Sequence, residues 1–159
     1  MSIQFIRIDD RLIHGQVVTA WIKNYQAKNV LIVDDGVAKD DFLQSVLKMA
    51  APSGIKLFIR GTENLEKTVE QFEASEKNTL VLLKTPQTAK KLFDAGVKLR
   101  ELNVGGMGAN RYRKSLYKNI SASEEEMQIL TALEEEGVKV YFRTVPADRE
   151  IVFGSVVKK

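Results

Sequence analysis

The chain contains no cysteine. That absence excludes a disulfide framework, a thiolate metal site and a cysteine nucleophile together, and such a composition suits the reducing cytosol. Histidine is nearly as scarce, with one in 159 residues, so imidazole chemistry has to run through His14. No apolar run approaches the length needed to span a bilayer, and the N-terminus enters an alternating pattern without an apolar signal region; a soluble, unprocessed protein is expected. Charge of one sign is not in large excess either. A net charge of +3 is mildly basic and favours acidic partners, far from the balance of a dedicated nucleic-acid binder. No long linker, repeat or low-complexity segment interrupts the sequence, and 44% of the residues are hydrophobic. One domain over residues 1–159 around a continuous core is therefore expected.

What is present is an alternation of short β-rich runs with amphipathic helical windows. Ile3 to Ile8 alternates apolar and polar residues, Val30–Val33 and Leu80–Leu83 are continuous apolar runs, and Leu57–Ile59 and Leu102–Val104 are shorter ones. Continuous runs favour strands covered on both faces. Val138 to Val145 supplies another strand, and Tyr117–Ile120 a short one near the sheet edge. Between them, helix faces are spelled out by Val17, Val18, Trp21, Ile22 and Tyr25, then by Phe42, Val46, Leu47 and Ala50. Leu65, Val69 and Phe72 form the next, followed by Ala89, Leu92 and Phe93, and by Met127, Leu130 and Leu133; each set is spaced for one buried stripe. Ser123 with Glu126 has the capping-box spacing, Thr62 is a candidate N-cap, Pro86 fits an early helical position, and Gly96 and Gly137 fall where helices should end. The pattern implies an open, doubly wound α/β fold, with a mostly parallel sheet and helices on both faces.

In such a sheet the loops leaving the carboxyl ends of the strands share one rim, where ligands bind. The first strand is followed by Asp9, Asp10, Arg11 and His14, the second by Asp34, Asp35 and Gly36, the third by Arg60 and Gly61. Lys84, Thr85 and Pro86 follow the fourth, and Gly105, Gly106, Met107 and Gly108 the fifth. A lone histidine is more often a packing or surface residue than a functional one, but this one sits between Arg11 and Gly15 at a strand-to-helix junction. That setting suits an imidazole that accepts a phosphoryl group and passes it on. Free imidazole is largely neutral at pH 7 and nucleophilic, arginine neutralises the arriving charge, and Gly15 and Gln16 open a helix whose free N–H groups face an anion. A metal site is not expected, because the other available ligands are carboxylates alone.

Arg11 is the expected electrostatic partner, with an ion pair to Asp9 or Asp10 as the competing role; both hold if the carboxylate orients the guanidinium. Asp9 and Asp10 are expected to orient the loop rather than act as acid and base, since two carboxylates near a phosphoryl group repel it. Asn103–Gly108 has the composition of a phosphate-cradling loop but lacks the Walker lysine and the G-x-G-x-x-G register. A tight strand exit that lets a neighbouring loop approach is the stronger reading, with Gly105, Gly106, Asp34, Lys84 and Thr85 as further rim contacts. The Arg111–Lys118 stretch interleaves basic and aromatic residues; it reads as a solvated face, a docking surface, or, in a noncatalytic nucleotide- or RNA-binding module, a platform around Arg113 working with the Gly105 loop.

The run Arg7-Ile8-Asp9-Asp10-Arg11-Leu12-Ile13-His14-Gly15-Gln16-Val17 with Trp21, then Val33-Asp34-Asp35, Met49-Ala50-Ala51-Pro52 and Asn103-Val104-Gly105-Gly106-Met107, resembles the enzyme IIB component of the bacterial sugar phosphotransferase system, mannose/fructose/sorbose family. The resemblance covers most of the chain in order. It implies an antiparallel edge strand and a centrally placed first strand. It also implies a cytoplasmic protein–Nπ-phosphohistidine–sugar phosphotransferase without cofactor. His14 would be phosphorylated at Nδ1 by a IIA protein or domain acting in trans. The group would then pass to a sugar entering through the membrane subunits IIC and IID, with which the chain would associate peripherally. Arg11 would stabilise the phosphoryl group within an active-site loop of residues 9–16, and Arg60, Lys84 or the Arg111–Lys118 cluster would steer encounter. No nucleic acid is expected as a partner. Mannose, fructose, sorbose, N-acetylgalactosamine and related sugars all stay open.

Overall fold

The structure is a computed structural model that describes residues 2–157. In chain order the elements are β1 (Ile3–Asp9), α1 (Gly15–Tyr25), β2 (Asn29–Val33), α2 (Asp35–Ala38), α3 (Asp41–Ala50), β3 (Lys56–Arg60), α4 (Leu65–Glu73), β4 (Thr79–Leu83), α5 (Pro86–Asp94), β5 (Glu101–Gly106), β6 (Lys114–Tyr117), β7 (Ile120–Ala122), α6 (Glu124–Glu135), β8 (Lys139–Phe142), β9 (Ile151–Val152) and α7 (Phe153–Val157). Seven strands form one sheet in the order β3-β2-β4-β1-β5-β8-β9. All neighbours are parallel except β9, which pairs antiparallel with β8. The doubly wound α/β fold expected from the alternation is thus observed, with β1 in the interior between β4 and β5.

The continuous apolar runs account for this centre. Every residue of β2 and of β4 is buried, as strands covered on both faces require. One face of the sheet packs on α1 and α3 through Phe5, Trp21, Val30, Leu47 and Leu82. The opposite face packs on α4, α5 and α6 through Ile6, Phe72, Leu92, Val104 and Leu133. On the first of these faces Phe5 stacks on Trp21 at 4.2 Å between ring centroids. Caps and stops agree in most places. Ser123 and Glu126 form a full capping box, Pro86 opens α5, and Gly96 and Gly137 take φ +97° and +92° just after helices α5 and α6, which glycine adopts without a Cβ clash.

Several expectations are corrected. The Val138–Val145 strand is shorter, Lys139–Phe142, because the chain turns away after Phe142 to make the antiparallel edge with Ile151–Val152. Tyr117–Ile120 is not an edge strand. Lys118 and Asn119 form the turn of a separate antiparallel hairpin, β6–β7, with Lys118 at φ +46°. Thr62 does not cap α4; Asn64 occupies that position, while the Thr62 amide and hydroxyl donate to Asp35. The Phe42, Val46, Leu47 and Ala50 stripe is buried only at Leu47, and Phe42, with Met49, projects outward at 79% and 87% exposure. α3 lies on the β2–β3 side of the sheet, at whose outer edge β3 is the last strand. It buries Leu47 and part of Leu43 and leaves Phe42, Val46 and Met49 exposed.

Candidate active site

β1 ends in the sheet interior, so the loop after it rises from a strand flanked on both sides. Its last residue, Asp9, pairs with Gly106 across a register irregularity, and the Asp10 amide donates to the Gly106 carbonyl at 3.1 Å. The loop then turns tightly. The Leu12 amide donates to Asp9 O at 2.8 Å, Leu12 takes φ +56° and Gly15 φ +50°, and His14 sits between them in extended conformation as the N-cap residue of α1. The buried side chains of Leu12 and Ile13 anchor the turn in the core beneath α1. His14 does not cap the helix with its side chain, and the first turn of α1 carries no acidic residue. The positive end of the helix is therefore left to face an anion beside the imidazole.

Asp9 is the hub. Its side chain is 1% exposed, and Arg7, Arg11 and His14 all converge on it. Arg11 donates from Nε to Oδ1 at 3.0 Å, from Nη2 to Oδ2 at 3.1 Å and from its backbone amide to Oδ1 at 3.1 Å. Arg7 Nη2 donates to Oδ2 at 3.1 Å, and His14 Nε2 lies 3.1 Å from the same oxygen. Burial pushes the Asp9 carboxyl up, but the hydrogen bonds from Arg11, the charge of Arg7 and the contact with His14 outweigh it and hold the group at about 2. An ionised carboxylate only accepts. A hydrogen bond in this contact therefore needs the proton on Nε2, and in a ring with one proton that leaves the lone pair on Nδ1.

Exposure grades across the same four side chains: Arg7 3% and Asp9 1%, then His14 25% and Arg11 47%. Arg11 is thus both an ion-pair partner of Asp9 and a half-exposed fork beside the ring. Asp10 acts elsewhere. It accepts from the Gly108 amide and lies 3.7 Å from Arg113 Nη1, tying the loop to the exit of β5. Gly105 and Gly106 are the last residues of β5 rather than a loop after it, because the ladder with β1 runs to Gly106. A Cβ on Gly106 would fall 2.8 Å from Asp9 Oδ1, and one on Gly105 would fall 1.9 Å from the Arg7 guanidinium carbon. These glycines make room for the carboxylate and its cations, which is the close-approach role rather than a phosphate cradle.

The other rim residues are placed as follows. Asp34 caps α2 by accepting from the Val37 amide, and Thr85 caps α5 by accepting from the Thr88 amide. Asp34 follows β2, which is separated from β1 by β4, whereas Lys84 and Thr85 leave β4 next to β1. Gln16 starts a groove along α1, lined also by Val17, Ala20, Lys23 and Pro146. Arg60 lies over the Phe58 ring at the outer strand β3. The basic cluster is neither a free patch nor a solvated face throughout. Arg113 forks onto Glu126 at 2.8 Å through Nε and Nη2 and donates to the Gly108 carbonyl, and Tyr117 stacks on Phe142. Arg111, Tyr112, Lys114 and Lys118 of that stretch are exposed, with the Arg111 guanidinium over the Tyr112 ring and the Lys118 ammonium over the Tyr117 ring. Sequence reasoning assigns no role to Arg7 and Asn103, which stand only within the runs that carry the resemblance; the available signal was an arginine at a polar position of a strand expected to lie centrally in the sheet.

The chain as a whole has relatives among known proteins. A family model described as the PTS system sorbose subfamily IIB component matches residues 3–159. The fructose-specific EIIB component of the phosphotransferase system from Bacillus subtilis (strain 168) is 30% identical, over 99% of this chain and 97% of that protein. The mannose-specific EIIAB component of Escherichia coli (strain K12) is 28% identical across 100% of this chain, which spans 49% of that longer protein. Among solved structures, the IIBSor domain of the sorbose permease from Klebsiella pneumoniae superposes with a TM-score of 0.93 at 31% identity, over 99% of this chain and 97% of that one. With sequence and fold in agreement along its length, the chain belongs to the sorbose subfamily of IIB components of the sugar phosphotransferase system.

Proposed function

We propose that the chain is a phosphohistidine relay in which His14 Nδ1 accepts a phosphoryl group from a phosphorylated IIA partner and yields it to a sugar entering through IIC and IID membrane subunits. The observation that carries this reading is the His14–Asp9 contact at 3.1 Å. It favours the tautomer with the proton on Nε2, which supports attack on phosphorus by the lone pair of the other nitrogen. In the first step the Nδ1–P bond forms as the donor's N–P bond breaks, in line. In the second, a sugar hydroxyl oxygen forms an O–P bond as Nδ1–P breaks, the hydroxyl proton passes to water, and the ring returns with its proton on Nε2. Arg11, half-exposed beside the ring, neutralises the phosphoryl oxygens, while the α1 amides and helix dipole add to it. Family membership supports the sugar phosphotransferase class. The relatives named for fructose, sorbose and mannose each stand near 30% identity, so relatedness does not select among sugars.

The IIA and IIB parts share one name in the mannose relative, which supports a IIA donor for this chain. The groove beginning at Gln16, two residues beyond His14, is a surface on which such a partner can seat. No helix among the described residues is long and apolar enough to cross a membrane; a cytoplasmic relay reaches the sugar by docking on its membrane subunits. The test is label transfer from phosphorylated IIA. Wild type is expected to take up one phosphate that is acid-labile and base-stable, His14→Ala to fold and take up none, and Arg11→Ala to fold and react far more slowly. Ordinary labelling of His14→Ala would overturn the mechanism. Binding of single-stranded RNA with steep salt dependence and indifference to His14 would favour a noncatalytic module instead.

A further inference from the structure

Arg7 is a cation almost wholly removed from water, with its side chain 3% exposed inside the central strand. Isolated, it would be costly to bury. It is held from several sides. Nη1 donates to Asn103 Oδ1 at 2.6 Å and to the Arg143 carbonyl at 3.0 Å, and Nη2 donates to Asp9 Oδ2 at 3.1 Å. Asn103, its register partner on β5, donates to the same Arg143 carbonyl at 3.1 Å. The guanidinium lies 5.8 Å from the Trp21 ring centroid, and the space it occupies exists because Gly105 has no Cβ. Arg11, on the same carboxylate, has none of these braces and is half-exposed. Two cations on one anion, one locked and one free to move, are more than an ion pair needs.

We propose that Arg7 is a positioning residue for His14: it is the fixed counter-ion and brace of Asp9, which lets Asp9 keep its hold on Nε2–H while Arg11 transfers from the carboxylate to the phosphoryl oxygens. The inference rests on the reading of His14 as phosphoryl acceptor. An arriving phosphoryl dianion competes with Asp9 for Arg11. If Arg11 were the sole partner, its departure would strand a carboxylate of 1% exposure without a cation, a penalty of the kind that makes half of a buried pair rearrange. Arg7 removes that conflict. Its Nη2 and His14 Nε2 meet at one oxygen, Oδ2, so the brace also fixes the direction from which Asp9 addresses the ring.

The experiment uses the full chain labelled with 15N in its one histidine, as wild type, Arg7→Met, Arg7→Lys and Gly105→Ala. The last keeps the charge but drives a methyl group into the guanidinium position. Ring 15N shifts report the tautomer, and reaction with potassium phosphoramidate, in which Nδ1–P forms as N–P breaks and ammonia leaves, reports the rate and the nitrogen phosphorylated. Wild type is expected to hold its proton on Nε2 and to give the Nδ1 product. Arg7→Met and Gly105→Ala are expected to show mixed tautomers, some Nε2 product, and rates lower by roughly 10- to 100-fold, the range for groups that orient a ligating histidine through an intermediary. Arg7→Lys should recover part of the loss, having the charge without the fork. If Arg7→Met does not fold, the same readouts on Gly105→Ala and Arg7→Lys decide. A folded variant with wild-type tautomer, product and rate overturns the role of Arg7. A wild type that takes no phosphate on His14 overturns the underlying reading instead.

Discussion

Replacing Asp9 by asparagine keeps the side-chain shape and removes the charge on which Arg7, Arg11 and His14 converge. The folded chain holds this carboxyl at about 2 against an ordinary 3.8. A depressed folded value means that the unfolded chain binds the proton more readily, so the associated stability is fully present above pH ~4 and is lost as pH falls through about 2. At about 1.4 kcal/mol for each tenfold in proton affinity, that window is worth roughly 2 kcal/mol. Asparagine, like the protonated carboxyl, leaves buried Arg7 without its anion, so the loss at pH 7 is this same term, roughly 2 kcal/mol, and does not add to it. Urea unfolding of both proteins at pH 7, 5, 4, 3 and 2 measures it. Asp9→Asn should be the less stable by roughly 2 kcal/mol at pH 7, and most of that gap should close between pH 4 and pH 2. A gap that stays constant through that interval would show that Asp9 is not held ionised by its cations, and the tautomer assignment for His14 would fall with it.

Other perturbations probe the frame. Arg113→Met strips the fork from Glu126, whose side chain is 4% exposed, and should cost about 3 kcal/mol in urea unfolding; a loss below about 1 kcal/mol would mean that the strap between the hairpin and α6 is not structural. Gly15→Ala meets no atom within 4 Å but forces an L-residue to φ +50°, so a thermal-unfolding loss of about 1–2 kcal/mol is expected, with Gly15→Asn milder. An alanine as stable as wild type would show that the turn relaxes. Phe42→Ser, at a side chain 79% exposed, should change stability by no more than about 0.5 kcal/mol in urea, and a loss of 2 kcal/mol would show that this face is covered in solution.

The parts of the fold carried by local rules were legible. Val30–Val33 and Leu80–Leu83 declared buried strands because nothing polar interrupts them, and Ser123 with Glu126 declared a helix start because the capping box is made within four residues. What failed depended on neighbours distant in sequence. Periodicity places Phe42 and Val46 near one helix face, but whether that face is covered depends on α3 standing toward the β3 edge of the sheet. Thr62 has the chemistry of a cap, yet Asp35 of another loop takes both its donors. Arg113 looked like one cation of a basic run until Glu126 came against it from α6. In the candidate site the same division holds. The spacing of Arg11 and His14 was readable, and that a carboxylate could orient the guanidinium was readable with it. The second cation was not, because Arg7 is a polar position in a strand whose alternation ordinarily marks a solvated side, and its partners Asn103 and Arg143 lie 96 and 136 residues away.

The gradient of exposure from Arg7 to Arg11 suits a relay better than an enclosed active site. A group that must be reached in turn by a protein donor and by a sugar needs its nucleophile at the surface, where water competes for every hydrogen bond and exposed ion pairs are weak. Orientation therefore has to come from below. Asp9 at 1% exposure and Arg7 at 3% can supply it from the low-dielectric interior, where the charge-assisted bonds are strong, while His14 at 25% and Arg11 at 47% stay open to the partners of the proposed relay. Gly105 and Gly106 permit the arrangement by letting β5 pass close to both buried groups. Moving the charges outward would weaken the aim of the ring, and moving the ring inward would shut out the donor; the last residues of a central strand, rising into a loop that opens a helix, meet both demands.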